Sequence, residues 1–176
     1  IDKLEGGNGL DAAIDNLKNE IINWLMRNYI RNNGSFLTKS QIKIDINTTP
    51  PTVNYNGGVT AASYLTSLNN NEMFQWGKVK GDFKCTGMLK LTSLKGAPKV
   101  VSGHFDCSRC RLLKSLEGAP EKVGKDFFCR FCNSLESLKG APKKVGKNFS
   151  CSHCVSLKSL EGCPIEIENN FCCNDC

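Results

Sequence analysis

One eight-residue phrase occurs four times in this chain, and its spacing limits the folds that the sequence can adopt. The copies are LTSLKGAP at 91–98, LKSLEGAP at 113–120, LESLKGAP at 135–142 and LKSLEGCP at 157–164. Each copy begins 22 residues after the previous one. A unit of this size cannot enclose a hydrophobic core alone, but stacked copies can bury one continuous core. The spacing therefore predicts a solenoid, an architecture that usually acts by binding.

The residues between the phrases keep the same register. Val123, Phe127, Cys129, Cys132, Leu135 and Leu138 recur as Val145, Phe149, Cys151, Cys154, Leu157 and Leu160. The Phe and the first Cys are two residues apart, as inward side chains of a strand are, and the later steps of three residues indicate a corner. We therefore predict one short strand in each coil.

The unit VxxxFxCxxCxxLxSLxGAPxx resembles the leucine-rich repeat, with Phe and Cys at the inward strand positions and the second Cys where that family has Asn or Cys. It is most similar to the short bacterial repeats that carry NxLxxLP and to the SLxGAP repeat proteins of tailed bacteriophages. The resemblance covers 79–176 and implies an α/β, mostly β, solenoid with short parallel strands on a concave face. Gly-Ala-Pro leaves no room for a crossover helix, so the convex side should be non-helical.

The first third of the chain has a different pattern. Apolar residues follow the helical period at Leu10, Ile14, Leu17, Ile21, Leu25 and Tyr29. With a stop signal at 32–34, they predict an amphipathic helix over 10–32. An exposed end of a solenoid must be covered, so we expect this helix to cap the first coil.

Between the helix and the regular repeats, 36–47 predicts an edge strand or hairpin, and TTPPT at 48–52 marks a break. A degenerate repeat follows, with Val59 and Ala62 at the two Cys positions and Leu65 and Leu68 at the two Leu positions. NNNEMFQW at 69–76 lengthens this coil. The predicted domains are the helical cap and edge strand at 1–56, the degenerate first repeat at 57–78 and the regular repeats at 79–176.

The sequence gives no indication of a membrane or secreted location. It has no apolar run long enough to cross a bilayer, and its N-terminus lacks the basic segment and apolar stretch of a signal peptide. We therefore expect a cytoplasmic protein, in a bacterial host if the protein is viral. The eleven cysteines should then be thiols.

Eight of these cysteines form four CxxC pairs, which raises the alternative of a zinc site. The pairs are Cys107 and Cys110, Cys129 and Cys132, Cys151 and Cys154, and Cys173 and Cys176. The same two positions hold Cys85 and Met88 in the first regular coil, and methionine is a poor zinc ligand. We expect the positions to be filled by small buried side chains and no cofactor to be bound. Zinc or an iron–sulfur cluster is the minority alternative, and disulfides between adjacent coils are a further one.

Binding residues must lie at the variable positions, because packing uses the repeated ones. The outward side chains expected to contact a partner are His104, Asp106, Arg109, Asp126, Phe128, Arg130, Phe131, Asn148 and His153. Phe128 and Phe131 stand out, since aromatic residues and arginine dominate binding energy at protein interfaces. An alternative is that Phe131 folds into the turn and only Phe128 is exposed.

No catalytic constellation is evident in the sequence. His104 and His153 lie two coils apart, and no acid or nucleophile accompanies either of them in the repeat. We therefore expect a non-enzymatic protein in which both histidines are surface polar residues.

The net charge of +6 suggests a second kind of partner. Lysines follow each Gly-Ala-Pro and should stack into a basic ridge of Lys99, Lys122, Lys125, Lys143, Lys144 and Lys147. Such a ridge could contact nucleic acid or an acidic partner, although nearby acids interrupt it. A solvated face that keeps the solenoid from aggregating is the alternative.

Together these observations predict a protein-protein interaction module that binds through its concave face. By resemblance alone, it would be a phage accessory protein that inhibits or redirects a host defence or regulatory protein. We expect the strand edge at 165–176 to be open and to pair with a second copy of the chain or to contact the partner. Fraying of this coil and continuation of the natural protein beyond it are the alternatives.

Overall fold

The computed structural model describes residues 5–69 and 71–176, with side chains from Gly9 onward. Within these residues the chain forms one N-terminal helix, α1 (Glu5–Asn28), followed by short strands wound into a solenoid of stacked coils. The prediction of a mostly β solenoid with an N-terminal helix is confirmed. The first four residues of the predicted domain 1–56, and Asn70 in the lengthened coil, lie outside the described residues. The three domain boundaries stay predictions.

The strands, numbered in chain order, form two sheets. Sheet A contains β1 (Tyr29–Arg31), β4 (Val59–Ala61), β6 (Phe83–Lys84), β8 (Phe105–Asp106), β10 (Phe127–Phe128), β12 (Phe149–Ser150) and β14 (Phe171–Cys172). Sheet B contains β2 (Ile42–Asp45), β3 (Thr52–Tyr55), β5 (Gln75–Val79), β7 (Val100–Val101), β9 (Lys122–Val123), β11 (Lys144–Val145) and β13 (Glu166–Ile167). Neighbouring strands are parallel, except that β1 and β2 pair antiparallel with β4 and β3.

Each regular coil therefore contributes one strand to each sheet, and the prediction of a single strand per coil is wrong. The strand that sequence analysis missed follows Gly-Ala-Pro, as β9 does. It is only two residues long and buries one side chain, Val123. So short a segment gives no alternation from which a strand could be predicted.

The core is built from columns of identical residues. The rings of Phe83, Phe105, Phe127, Phe149 and Phe171 stack along sheet A, with successive centroids 5.1 to 5.7 Å apart. The two cysteine positions form buried columns beside them. The second Cys of a coil also donates a hydrogen bond, since Cys132 Sγ lies 3.3 Å from the carbonyl oxygen of Cys107 in the preceding coil. Cys154 bonds Cys129 in the same way at 3.1 Å.

The N-terminal helix differs from the predicted span of 10–32. It already includes Glu5 and it ends at Asn28, so Tyr29 lies in β1. Tyr29 leaves the helix because its hydroxyl donates to the carbonyl oxygen of Leu68 at 2.7 Å and its ring packs against Trp76 at 5.3 Å. The end of α1 packs against the first coil, with the ring of Trp24 5.6 Å from that of Phe74.

The segment after the helix forms the other N-terminal edge. Strand β2 lies within the predicted region 36–47 and pairs with β3 as an antiparallel hairpin. The predicted break at 48–52 connects the two strands and contains a cis peptide bond between Thr49 and Pro50. Within the described residues, no helix is both long enough and apolar enough to cross a membrane.

The register predicted for the degenerate repeat is partly wrong. Val59 pairs with Phe83, so it occupies the Phe position and not the first Cys position. Ala61 takes the place of the first Cys, and the corner that follows is two residues shorter than in a regular coil. Leu65 N–H bonds the Ala62 carbonyl at 3.1 Å, as Leu91 N–H bonds Met88 at 3.2 Å, so the positions of Ala62 and Leu65 are as predicted.

The glycine of Gly-Ala-Pro has two reasons to lack a side chain. At Gly140 the φ angle is +88°, a conformation that favours glycine. An added Cβ would also lie 2.5 Å from the Cα of Glu117 in the preceding coil. Gly34, in the turn after β1, has a similar φ of +83° but open space around it.

The aromatic column should carry a large share of the stability. We expect Phe127→Ala to lower the free energy of unfolding by about 3–5 kcal/mol, because it leaves a cavity in the stack. Phe131→Ala, in the same coil but on the surface, should cost about 1 kcal/mol or less. Urea denaturation of both variants measures the difference, and equal losses would contradict the stacking described here.

Comparison of Gly34 with Gly140 separates two contributions to stability, the left-handed backbone conformation and the close contact between coils. Gly34→Ala should cost about 1–2 kcal/mol, the penalty for a side chain in a left-handed conformation. Gly140→Ala should cost several times more, because its methyl group would push neighbouring coils apart. Thermal unfolding of the pair is the test, and the two penalties being similar would argue against tight contact between coils at Gly140.

Candidate functional site

The fourth residue after each inward Phe lies in a left-handed turn, with φ between +55° and +66°. Because the coils superpose, these residues form one surface column, which we call the turn column: Gly87, Arg109, Phe131, His153 and Asp175. Each side chain touches the next. The Arg109 guanidinium carbon lies 5.6 Å from the centroid of the Phe131 ring, and that ring stacks on His153 at 4.5 Å. His153 Nδ1 lies 3.3 Å from a carboxylate oxygen of Asp175.

The turn column carries side chains that the turn itself does not need. A residue other than glycine in this conformation costs on the order of 1–3 kcal/mol. Gly87 occupies the equivalent position in the first regular coil, so the fold can be made with glycine there. The larger side chains of the next four coils therefore point to a role outside the fold.

A second aromatic residue lies beside the column, at the outward strand position of sheet A. Phe128 is half-buried between a guanidinium group and an imidazole ring. The guanidinium carbon of Arg130 lies 4.4 Å from the centroid of the Phe128 ring, and the His104 ring stacks on it at 6.2 Å. Phe131 does lie in the turn, as the alternative supposed, but it remains 41% exposed. Both aromatic residues are thus held in fixed positions by neighbouring coils.

A column of polar side chains precedes the inward Phe residues. His104 Nδ1 lies 2.8 Å from Asp126 Oδ2, and Asn148 donates from its amide to Asp126 Oδ1 at 2.7 Å. The expectation that neither histidine has an acid beside it is wrong. In both cases the acid comes from the following coil, Asp126 for His104 and Asp175 for His153, and it occupies the same column as the histidine.

The pKa of Asp126 reflects this surrounding. Burial acts to raise the pKa, but hydrogen bonds from the Asn148 backbone and side chain, and the charges of His104 and Lys147, outweigh it. The pKa is therefore lowered from its ordinary value of 3.8.

A surface cavity of about 400 Å³ opens beside the turn column. Its lining includes Thr86, Asp106, Ser108, Arg109, Arg130 and Phe131. Four of these residues were predicted at a binding face, whereas Thr86 was not. The sequence signal for this turn was Gly87, because a glycine at one copy of a repeated position indicates that the position has a positive φ.

The predicted basic ridge lies along sheet B and its adjoining loops. Lys122 pairs with Lys144 in the neighbouring strand. Lys144 also makes an ion pair with Glu166 at 2.6 Å. Among the described residues, the remaining ridge lysines make no ion pair within 4 Å: Lys99, Lys122, Lys125, Lys143 and Lys147. The basic surface extends to Lys43, Lys78 and Lys80, which line a second cavity of about 240 Å³.

Seven of the eleven cysteines are buried in the core. All eleven are free thiols, and within the described residues no three His, Cys, Asp or Glu side chains are grouped to hold a metal ion. Burial raises the pKa of Cys110 to about 12 and that of Cys85 well above its ordinary value. Protonated thiols are poor ligands and nucleophiles. The absence of a cofactor stays a prediction.

Comparison of the chain with protein-family models, with curated proteins and with solved structures finds no match.

The acid paired with His104 should make stability depend on pH. Because folding lowers the pKa of Asp126, its contribution is complete above pH 3.8 and is lost as the pH falls through the lowered value. Asp126→Asn should therefore destabilise the protein at neutral pH, and the difference from wild type should shrink in acid. Urea unfolding of both proteins across this range checks the expectation, which a difference independent of pH would contradict.

Proposed function

We propose that this chain is a binding module that contacts another protein through the outward side of sheet A. The surface, which we call the aromatic-arginine face, consists of His104, Asp106, Arg109, Phe128, Arg130, Phe131, Asn148 and His153. Asp126, which was predicted at this face, is buried and supports it through its bonds to His104 and Asn148. The observation that carries the proposal is the turn column. Its later coils place large side chains at a left-handed position where the first regular coil has a glycine, Gly87.

The chemistry of this face suits protein recognition. Arginine and aromatic residues are enriched among the side chains that dominate interface energies. Here they are already ordered, because Arg109 rests on Phe131 and Arg130 rests on Phe128. Binding would therefore cost less side-chain entropy than it would for free rotamers.

The finer parts of the proposal rest on the SLxGAP repeats. They suggest a leucine-rich-repeat protein of the bacterial or phage type, and we take the outward side of sheet A as its concave face. The proposed role is that of a non-enzymatic, cytoplasmic phage accessory protein that inhibits or redirects a host protein.

The basic ridge supports a second candidate, a nucleic acid or other anionic polymer bound along sheet B. This second candidate is favoured by the exposed lysines between residues 99 and 147 that make no ion pair among the described residues. Nucleic-acid binding of this kind would weaken steeply as salt concentration rises.

Site-specific cross-linking can distinguish the two surfaces. We expect p-benzoylphenylalanine at position 131 to form protein adducts in lysate of the native host after irradiation, and the same probe at position 122 to form few. The adducts should persist at moderate salt and disappear when Arg109→Ala is added. Phe131 is exposed, so its replacement leaves the core intact.

Position 122 is the matched control because Lys122 is also exposed and lies in a strand of the same coil. Nuclease-sensitive adducts formed only from position 122 would contradict the proposal and support the basic ridge. A lack of protein adducts from position 131, with the probe incorporated and the protein folded, would also count against it.

A further inference from the structure

Two of the five arginines of the chain lie at one cavity. Arg109 and Arg130 belong to neighbouring coils, and a backbone hydrogen bond of 2.7 Å from Arg109 N–H to the Arg130 carbonyl joins their turns. Although they occupy different positions of the repeat, both residues line the same 400 Å³ space beside Phe131.

Neither guanidinium is neutralised by an acid. In the part of the chain that the structure describes, Arg109 and Arg130 make no ion pair, and their side chains donate no hydrogen bond to a protein acceptor. Each is instead held over an aromatic ring, Phe131 or Phe128. A guanidinium placed on a ring keeps its N–H edges available, and those edges match the two oxygens of a carboxylate.

The charge of the cavity selects the kind of anion. Two arginines contribute two positive charges, and Asp106 at the same cavity contributes one negative charge. Asp106 is held in place by the backbone N–H of Ser108 at 3.0 Å and, among the described residues, forms no ion pair. The net charge of one is balanced by a monoanion, whereas a phosphate dianion would leave an excess charge facing Asp106.

We infer that this cavity binds a carboxylate of the partner protein, either an Asp or Glu side chain or a terminal carboxylate. The inference rests on the proposed function, because it assigns the partner group that the aromatic-arginine face receives. The hydroxyl groups of Thr86 and Ser108 at the cavity offer further polar contacts.

The partner group can be tested with a simple probe. We expect a hexaglutamate peptide to bind the whole protein and shift the Nε–Hε NMR signals of Arg109 and Arg130, while Arg27, Arg31 and Arg111 serve as internal controls. Hexaglutamine should cause no shift. Arg130→Gln should weaken hexaglutamate binding about tenfold or more, the loss expected for a charge-assisted hydrogen-bonded pair.

Matched variants separate the cavity from general electrostatic attraction. Lys122→Gln removes the same charge from sheet B and should change affinity by less than about twofold. Arg130→Lys keeps the charge but loses the forked donor geometry, so it should recover only part of the affinity. Thermal melting of each variant checks that the fold is retained.

Several results would overturn the inference. Equal losses for Arg130→Gln and Lys122→Gln, or unchanged signals of both cavity arginines, would mean that the peptide binds the charged surface in general. Inorganic phosphate shifting these signals at lower concentration than acetate would reverse the assigned anion. Any of these results could occur while position 131 still cross-links a partner, so the inference can fail without the proposed function failing.

Discussion

Direct hydrogen bonding between the backbones of neighbouring coils is the constraint on which the rest of this structure depends. On sheet A, Phe105 N–H bonds the Asp126 carbonyl and Cys107 N–H bonds the Phe128 carbonyl, both at 2.9 Å. On sheet B, Gly124 N–H bonds the Val101 carbonyl at 2.9 Å. These bonds hold the coils at the strand spacing of about 4.8 Å, so every position of the repeat is brought against its own equivalent.

This self-superposition explains the choice of residues inside and outside. Inside, it favours flat rings that can stack and small thiols that can each reach a carbonyl of a neighbouring coil, as Cys154 reaches Cys129. At the corners it admits only glycine where coils touch, as at Gly140. Outside, it brings the variable residues of successive coils side by side. A cation, an aromatic ring, an imidazole and an acid therefore come into contact in order along the turn column.

The same constraint gives the proposed binding surface its rigidity. Arg109, Phe131 and His153 are far apart in sequence, but the backbone holds their Cα atoms in adjacent coils, and each side chain limits the motion of the next. The surface is thus ordered before a partner arrives, which lowers the entropic cost of association. Asp126 and Asn148 brace its other side through hydrogen bonds from coil to coil.

The sequence by itself determined the solenoid, because a fixed period of 22 residues allows only a stacked structure and its buried positions repeat in every copy. It also predicted exposed positions such as Arg109 and Phe131, since those vary between coils, but it placed the buried Asp126 among them. It could not determine the second sheet, because Lys122–Val123 is too short to show a period, nor the register of Val59, which depends on strand pairing. The acids beside His104 and His153 were hidden for a related reason, since each is 22 residues distant in the chain. Only the tertiary structure decided which members of a column touch, because that depends on the left-handed turn at Phe131 and on contacts across coils that no local pattern records.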